Sequence, residues 1–485
     1  MKEKLSLASI LFGPPVEGLV ELLPTQGAIP TSLHGTYYLN GPANFRRGDF
    51  TYAHWLDGDG LVRAIRFADG RATHCSRFVR SRKYQDEQAA GRPLYRTFGT
   101  VFPGDRLRRR IALESPVNVS IYQFEQHLFS FGEQCLPWEL SPETLETMGE
   151  CSFHGLFPEI SPFSAHPKID HDARRLCNFG LKFGLKGNKL AYWEFDAKLQ
   201  LVFETEFAVE LPYSVHDFAL SARFAAFYLS PYLLELAPFL RQGRSLFDAL
   251  TWRPELRNKL LLTERIPQGK KWQISMGRRG YCLHLINGFD DGDTMGIDLI
   301  ETEEPLYPQY RPLPELFSTV KPCTIVRLRI DVRSGTVLEV LEAPQLVHLD
   351  FPALLPESYG KPYAKAWMLG MPTEPLNATK YYDRILCFDW DQRAIVDQYL
   401  SPPGVYLSGE PSLVRADCSE STVILICPRW HAAENRSDYV LLDALALSSP
   451  PIAVLPLPHP SPLAFHSSFE ADPAVSSLPK QAISP

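Results

Sequence analysis

Four histidines stand in short runs of mostly apolar residues, and their chemistry needs a common explanation. His216 is the clearest, since it lies in the strand-like run 214–220, and His166, His284 and His466 have similar surroundings. A buried imidazole is usually satisfied by one hydrogen-bonded neighbour. It can also bind a metal ion, together with histidines from distant parts of the chain. The residue types alone leave both interpretations open.

The composition describes a globular protein with a large core. The chain has 485 residues, of which 45% are hydrophobic and 22% charged, and its net charge is −7. This charge argues against nucleic acid as a partner and favours a small ligand. Nine cysteines occur without a Cys-x-x-Cys pair, which is typical of a reducing compartment. No run approaches the ~20 apolar residues of a membrane span. We therefore expect a cytoplasmic protein, soluble or at most peripherally attached to a membrane.

Short apolar or alternating runs, separated by turns, predict mostly β structure. They recur almost to the end of the chain, and 42 prolines and 30 glycines are spread among them. No linker divides the sequence, so residues 1–485 are interpreted as a single domain with a loose tail at 472–485. The runs show no clean repeat, so periodicity alone does not predict a propeller.

Residues 230–262 depart from this pattern. Two amphipathic runs there predict helices inserted in the β structure. One interpretation is a helix packed on its own domain. The other is an apolar surface that touches a membrane or frames the mouth of a lipid-binding tunnel.

A set of motifs resembles the carotenoid cleavage oxygenases over about residues 35–469. The microbial apocarotenoid oxygenases are the most similar members, because residues 95–100 match them. No single motif is specific, but the whole set occurs in the family's order. The matching stretches besides those around the histidines are residues 35–42, 54–60, 77–80, 133–137, 409–411, 442–444 and 455–456.

The resemblance implies a seven-bladed β-propeller with the metal on its axis. It also implies Fe(II), bound by His166, His216, His284 and His466 from different blades. The ligand type agrees, since imidazole suits ferrous iron and structural zinc more often uses cysteine. Only Cys282 is close in sequence to any of the four histidines.

Three carboxylates are expected, from the same resemblance, to orient three of the histidines. Glu133 would serve His216, and Glu410 would serve His466. Asp350 stands where the family usually has Glu, as the partner of His284. Val119 replaces a family threonine near an open iron position, where it keeps the methyl group and loses the hydroxyl.

The implied reaction is cleavage of a C=C bond by O2 in an apolar small molecule, giving two carbonyl products. Stilbene-cleaving members carry a tyrosine and a lysine that grip a phenol, and this chain has Val101 and Gly132 at those places. We therefore expect an apocarotenoid rather than a stilbene. A stilbene-cleaving dioxygenase, or a propeller that binds or isomerises an apolar ligand without oxygenating it, are the alternatives.

Overall fold

Strands dominate the molecule. The computed structural model describes residues 6–184, 187–373, 380–415 and 422–472. Helices within these ranges are α1 (Ala8–Phe12), α2 (Arg82–Ala90) and α3 (Leu236–Arg241), and four short 3-10 turns accompany them. None of the described helices is long and apolar enough to cross a membrane.

The first two blades come from the N-terminal 150 residues. Blade 1 contains β1, β3, β6 and β7, blade 2 contains β8 to β11, and β4 and β5 form a separate ribbon. The strands are β1 (Gly18–Leu22), β2 (Gln26–Gly27), β3 (Gly35–Ala43), β4 (Arg46–Arg47), β5 (Phe50–Thr51), β6 (Asp59–Ala68), β7 (Arg71–Phe78), β8 (Ser120–Phe124), β9 (His127–Phe131), β10 (Trp138–Leu140) and β11 (Thr147–Glu150).

Blades 3, 4 and 5 follow in chain order. Blade 3 is β12 to β15, blade 4 is β16, β17, β20 and β21, and blade 5 is β22 to β25, while β18 and β19 pair separately. The strands are β12 (Lys168–Asp170), β13 (Arg175–Lys182), β14 (Asn188–Phe195), β15 (Leu201–Val209), β16 (Ala219–Leu220), β17 (Phe224–Leu229), β18 (Tyr232–Leu234), β19 (Leu250–Trp252), β20 (Lys259–Glu264), β21 (Lys271–Ser275), β22 (Tyr281–Asp291), β23 (Thr294–Thr302), β24 (Cys323–Asp331) and β25 (Thr336–Pro344).

Blades 6 and 7 complete the seven-bladed β-propeller. Blade 6 is β26 to β29, and in blade 7 β30 and β31 both pair with β32, followed by β33, β34 and β2. The strands are β26 (His348–Ala353), β27 (Lys365–Met371), β28 (Arg384–Asp389), β29 (Ala394–Leu400), β30 (Val405–Leu407), β31 (Ser412–Arg415), β32 (Val423–His431), β33 (Arg436–Asp443), β34 (Ala453–Pro456) and β35 (Ser467–Ala471).

The ring is closed by strands from opposite ends of the chain. The C-terminal β35 pairs with β3, with Tyr37 opposite Phe469, and so becomes the innermost strand of blade 1. The N-terminal β2 pairs with β34 at the outer edge of blade 7. Gly41 of β3 allows this strand to approach the segment that precedes β35, since a Cβ at position 41 would lie 2.4 Å from Cα of Ala464. The first and last blades are therefore tied together by backbone hydrogen bonds on both edges.

Burial changes across each blade. The interior strand β17 is buried at every residue, whereas the outer strand β15 alternates between buried and exposed positions. Strands enclosed by neighbouring blades on both faces read as continuous apolar runs, and strands with one solvated face alternate. The prediction of an all-β propeller is thus confirmed, and the lack of a clean sequence repeat reflects this mixture of burial patterns.

Two predictions about local structure were wrong. In residues 230–262 the predicted helices are reduced to one α-helix, Leu236–Arg241, and the strands β18 and β19 and the first part of β20 also lie there. His216 is not inside a strand but in the loop that leads into Ala219–Leu220. The backbone pairing that each blade needs overrides local apolar periodicity. The predicted loose tail lies, from residue 473 onward, outside the described residues.

Candidate metal centre on the propeller axis

Each blade contributes one side chain at or just before its innermost strand. Four of these are imidazoles, two are carboxylates and one is a valine. Adjacent blades therefore present neighbouring positions of a single ring around the axis. Taken from blade 2 through blade 7 and back to blade 1, these residues are Val119, His166, His216, His284, Asp350, Glu410 and His466.

The four histidines that the sequence singled out meet on this axis. One side-chain nitrogen from each lies within 4.8 Å of the others, and all four residues are buried. Nε2 of His166 is 2.8 Å from Nε2 of His216, and the ring centroids of His166 and His466 are 4.3 Å apart. Such a set of convergent nitrogens forms a metal site.

Hydrogen bonds between blades fix the backbone that carries these rings. The hydroxyl of Ser164 donates to the carbonyl of His216 at 2.6 Å, which links blade 3 to blade 4. Asp217 accepts from the backbone N–H of Leu285 at 2.8 Å, which links blade 4 to blade 5. The N–H of His466 donates to the carbonyl of Val119 at 3.2 Å. Contacts between blades therefore help to position the backbone that carries the histidines.

The three predicted carboxylates lie beside the histidines to which the sequence assigned them. Oε1 of Glu133 is 2.7 Å from Nδ1 of His216. Oδ1 of Asp350 is 2.5 Å from Nδ1 of His284, and Oε1 of Glu410 is 3.3 Å from Nδ1 of His466. The shorter side chain of Asp350 reaches its histidine directly, so the departure from Glu does not break this contact.

Two further side chains near the histidines were not predicted from the sequence. The hydroxyl of Tyr307 lies 3.2 Å from Nδ1 of His216, the nitrogen that Glu133 also approaches. Asp217 forms an ion pair with Lys168, with Nζ and Oδ1 2.7 Å apart. Asp217 could have been found, because it directly follows His216. Nothing in the sequence marks Tyr307, which is brought in by a 3-10 turn 91 residues away.

Burial and mutual repulsion keep most of the imidazoles neutral. Burial, reinforced by His466, holds the pKa of His166 well below its usual value, and burial with His216 lowers the pKa of His466 to about 3. Burial also lowers the pKa of His284, against the opposing effect of Asp350. For His216 burial acts in the same direction, but Glu133 outweighs it and raises the pKa. Neutral imidazole is the form that binds a metal.

The carboxylates differ in their electrostatic environment. Burial acts to raise the pKa of Asp350, but His284 outweighs it and lowers the value to about 2. Burial raises the pKa of Glu410 to about 8, although the N–H of Ser467 donates to it at 2.7 Å. A divalent cation held by the four histidines would favour the charged form of both carboxylates.

One polar atom shows that the residues suit a cation. Nε2 of His284 is buried and has no hydrogen-bond partner among the described residues, while its Nδ1 faces Asp350. The carboxylate fixes the proton on Nδ1, so the lone pair of Nε2 is directed at the other imidazoles. Cys282 does not join the cluster, since its thiol donates to the carbonyl of His284. A lone pair without a donor, facing three other imidazoles, fits a metal ion.

A seven-bladed propeller with a four-histidine metal site on its axis defines the class of protein. Residues 13–471 match the family described as RPE65, retinal pigment epithelial membrane protein. The chain belongs to this family of carotenoid oxygenases, as the motifs predicted, and is a cleavage dioxygenase.

Individual relatives agree over almost the whole chain. Apocarotenoid-15,15'-oxygenase of Synechocystis is 29% identical over 466 residues, covering 92% of each chain. Isoeugenol monooxygenase of Pseudomonas putida is 26% identical, covering 96% of this chain and 98% of that protein. Lignostilbene-alpha,beta-dioxygenase isozyme III of Sphingomonas paucimobilis is also 26% identical, covering 91% of this chain and 92% of that protein.

Solved structures show the same architecture. Cobalt-substituted Synechocystis apocarotenoid oxygenase superposes with a TM-score of 0.85 at 27% identity, covering 96% of this chain and 98% of that one. A chimera of that enzyme with RPE65 gives 0.86 at 26% identity, covering 97% and 100%.

Proposed function

We propose that the protein is a non-haem Fe(II) dioxygenase that cleaves one C=C bond of an apocarotenoid. The observation that carries this proposal is the convergence of His166, His216, His284 and His466, buried on the axis with their nitrogens within 4.8 Å. Four neutral ligands suit ferrous iron and leave its charge uncompensated by the directly bound atoms.

Glu133, Asp350 and Glu410 act by orienting His216, His284 and His466. Each carboxylate lies at the Nδ1 side, which keeps a proton there and turns the lone pair of Nε2 toward the metal. Bound iron supplies the activation of O2 that organic side chains cannot provide. No side chain has to act as a nucleophile or a base in the overall reaction, because both oxygen atoms of O2 end in the two carbonyl products.

Aromatic side chains next to the histidines supply the apolar surroundings that a polyene requires. The ring of Phe351 lies 5.7 Å from that of His284 and 5.2 Å from that of His466, measured between centroids. Tyr307 lies 6.2 Å from His216 and packs on Phe98. These rings would hold one double bond beside the metal, and such orientation can contribute several kcal/mol to lowering the barrier.

Val119 is proposed to limit access to one open position of the iron. Its side chain is buried and its backbone accepts from the N–H of His466. The valine methyl groups can exclude a ligand by contact, as the family threonine would. The lost hydroxyl removes only a hydrogen bond.

The second candidate is cleavage of a phenolic stilbene or styrene, since two relatives are named for lignostilbene and isoeugenol. The residues at the two positions where stilbene-cleaving relatives bind a phenol do not favour this reaction. Val101 has no polar atom in its side chain, and a Cβ on Gly132 would lie 2.2 Å from Oγ of Ser115. A lysine side chain would therefore not fit at position 132 without displacement of Ser115.

The test is an aerobic reaction of iron-loaded protein with an apocarotenal and, separately, with a stilbene phenol. We expect a blue shift of the polyene spectrum and aldehyde products, identified by mass spectrometry, with little turnover of the stilbene. Tight binding with an unchanged spectrum would identify a carrier instead, and a shifted double-bond geometry without aldehydes would identify an isomerase. Cleavage of the stilbene alone would select the second candidate.

Membrane contact through residues 230–262 remains a proposal of smaller scope. In this segment Phe239 is buried against its own domain, whereas Leu240 of the same helix is 39% exposed. Sedimentation with liposomes tests the proposal. Loss of binding in Leu240→Asp, with retention in a variant of the distant exposed Leu346, would support it.

A further inference from the structure

A second buried cluster lies between blades 1 and 7 and includes none of the four axial histidines. Arg63 of β6 is 1% exposed, and none of its three guanidinium nitrogens has a hydrogen-bond partner among the described residues. Both ring nitrogens of His74 and the hydroxyl of Tyr439 are likewise buried without partners in the described ranges. Most buried polar groups are satisfied, so three neighbouring exceptions require an explanation.

The strand register brings these side chains together. Arg63 pairs with Ser76, and His74 is two residues from Ser76 on β7, so Arg63 and His74 lie on the same face of blade 1. Tyr439 reaches this face from β33 of blade 7, with its ring centroid 5.9 Å from that of His74. The cluster therefore lies in the contact between the two blades that close the ring.

The surroundings are apolar and contain no countercharge within the described chain. Tyr37, Leu39, Ile65 and Leu441 belong to the same buried core as Tyr439. The groups that influence the pKa of Arg63 are burial, which lowers it, and then Tyr439 and Tyr37. The hydroxyl of Tyr37 already donates to the carbonyl of Glu410 at 3.0 Å.

Arg63 stays charged in this environment. The guanidinium offers five N–H donors and no acceptor, and it is not deprotonated in proteins. A buried charge without a partner is strongly unfavourable. Burial and the adjacent Arg63 lower the pKa of His74 to about 3, so its neutral ring adds no second charge and can donate one N–H.

We propose that a chloride-sized monovalent anion binds here, held by Arg63 with the hydroxyl of Tyr439 and a ring N–H of His74. A spherical anion accepts hydrogen bonds from several directions and leaves no polar atom of its own unsatisfied. Leu39 lies opposite Arg63 in the register of β3 and β6, and Ile65 lies two residues further along β6, so the same face offers apolar neighbours rather than donors for the additional oxygens of an oxyanion. The anion neutralises a charge at the closure of the ring and takes no part in the cleavage reaction.

Crystals grown in bromide provide the direct test. Anomalous diffraction at the bromine edge should give a peak within hydrogen-bonding distance of the Arg63 guanidinium, and Arg63→Met should lose it. Density for water alone at this position, in wild-type crystals with saturating bromide, would overturn the proposal.

Thermal unfolding gives an independent measurement on the full-length wild-type protein. In chloride-free buffer of constant ionic strength, bromide should raise Tm by on the order of a few degrees. Arg63→Met should show no such rise. Arg66→Met should keep it, because Arg66 lies on the same strand but its guanidinium donates to the backbone carbonyls of Pro142 and Glu143. Equal bromide dependence in Arg63→Met and wild type would also overturn the proposal. Should Arg63→Met not fold, the wild-type titration and crystals decide alone: a flat titration contradicts the site.

Discussion

Two buried polar clusters in this molecule differ in how their charges are balanced. Near α2, Lys83 binds Asp59 at 2.8 Å and Glu87 at 2.9 Å, and Arg47 binds the same two carboxylates. Two cations and two anions neutralise each other there. On the axis, four imidazoles face one another, and Nε2 of His284 has no donor among the described residues.

The difference separates a structural cluster from a binding site. In the α2 cluster, burial acts to raise the pKa of Glu87, but Lys83 outweighs it and the value is lowered, so the carboxylate is satisfied by the chain itself. In the axial cluster, burial and like neighbours lower the pKa of His166 and His466, which keeps both rings neutral. A buried cluster whose lone pairs converge can bind a cation, whereas a cluster whose charges cancel is already neutralised by the chain.

The largest expected effect comes from removal of one axial ligand. His216→Ala should abolish cleavage and lower bound iron to a trace, because three remaining imidazoles and an unpaired Glu133 hold the metal poorly. Iron per chain, measured by mass spectrometry, and turnover check this. His154→Ala removes an exposed histidine that hydrogen-bonds to the carbonyl of Lys198, and it should leave both unchanged. Full iron retention in His216→Ala would contradict the ligand set.

The α2 cluster should respond in stability rather than in metal content. Lys83→Met leaves Asp59 and Glu87 buried with one cation between them, and removal of one partner from a buried pair costs about 3–5 kcal/mol. Urea unfolding measures this loss, and the folded variant should bind iron normally. Arg71→Met breaks an exposed pair with Glu21 and should cost less than about 1 kcal/mol. Loss of iron from folded Lys83→Met would contradict the conclusion that the α2 cluster contributes only to stability.

An intermediate effect is expected from an orienting carboxylate. Asp350→Asn keeps the size of the side chain but removes the charge beside Nδ1 of His284. Such changes typically lower metal affinity by about 10–100-fold. Competition with a calibrated chelator measures the affinity, and Asp69→Asn, at an 88% exposed side chain, serves as the control. Unchanged affinity would show that His284 needs no oriented proton.

The smallest effect is a dependence of stability on pH in the α2 cluster. The folded pKa of Glu87 lies below its ordinary value of 4.5, so its contribution is present above that value and is lost as pH falls through the folded pKa. Lys83→Met removes the main cause of the lowering. The loss of Tm between neutral pH and about pH 3 should therefore be smaller in Lys83→Met than in wild type. Equal losses of Tm in the two proteins would mean that Lys83 does not lower the pKa of Glu87.

The sequence predicted the axial histidines and their carboxylates because these occur in recognisable motifs. The resemblance also placed Val119 near an open iron position, but the contribution of one side chain from each blade is visible only after the strands are paired. Residues 230–262 were misassigned because Tyr232–Leu234 and residues 260–262 are unbroken apolar runs, which fit a buried strand as well as a helix. Lys83 and Glu87 are spaced i,i+4 and could have been paired, but Arg47 and Asp59 join them only through the fold.

The position of His466, directly before the closing strand β35, also sets when the metal centre can assemble during synthesis. A nascent chain that has not yet reached residue 466 carries His166, His216 and His284 but lacks both the fourth imidazole and the strand that pairs with β3. The centre can then be completed only after residue 466 has been translated and β35 has paired with β3. Bound iron would thus indicate that the seven-bladed propeller has closed.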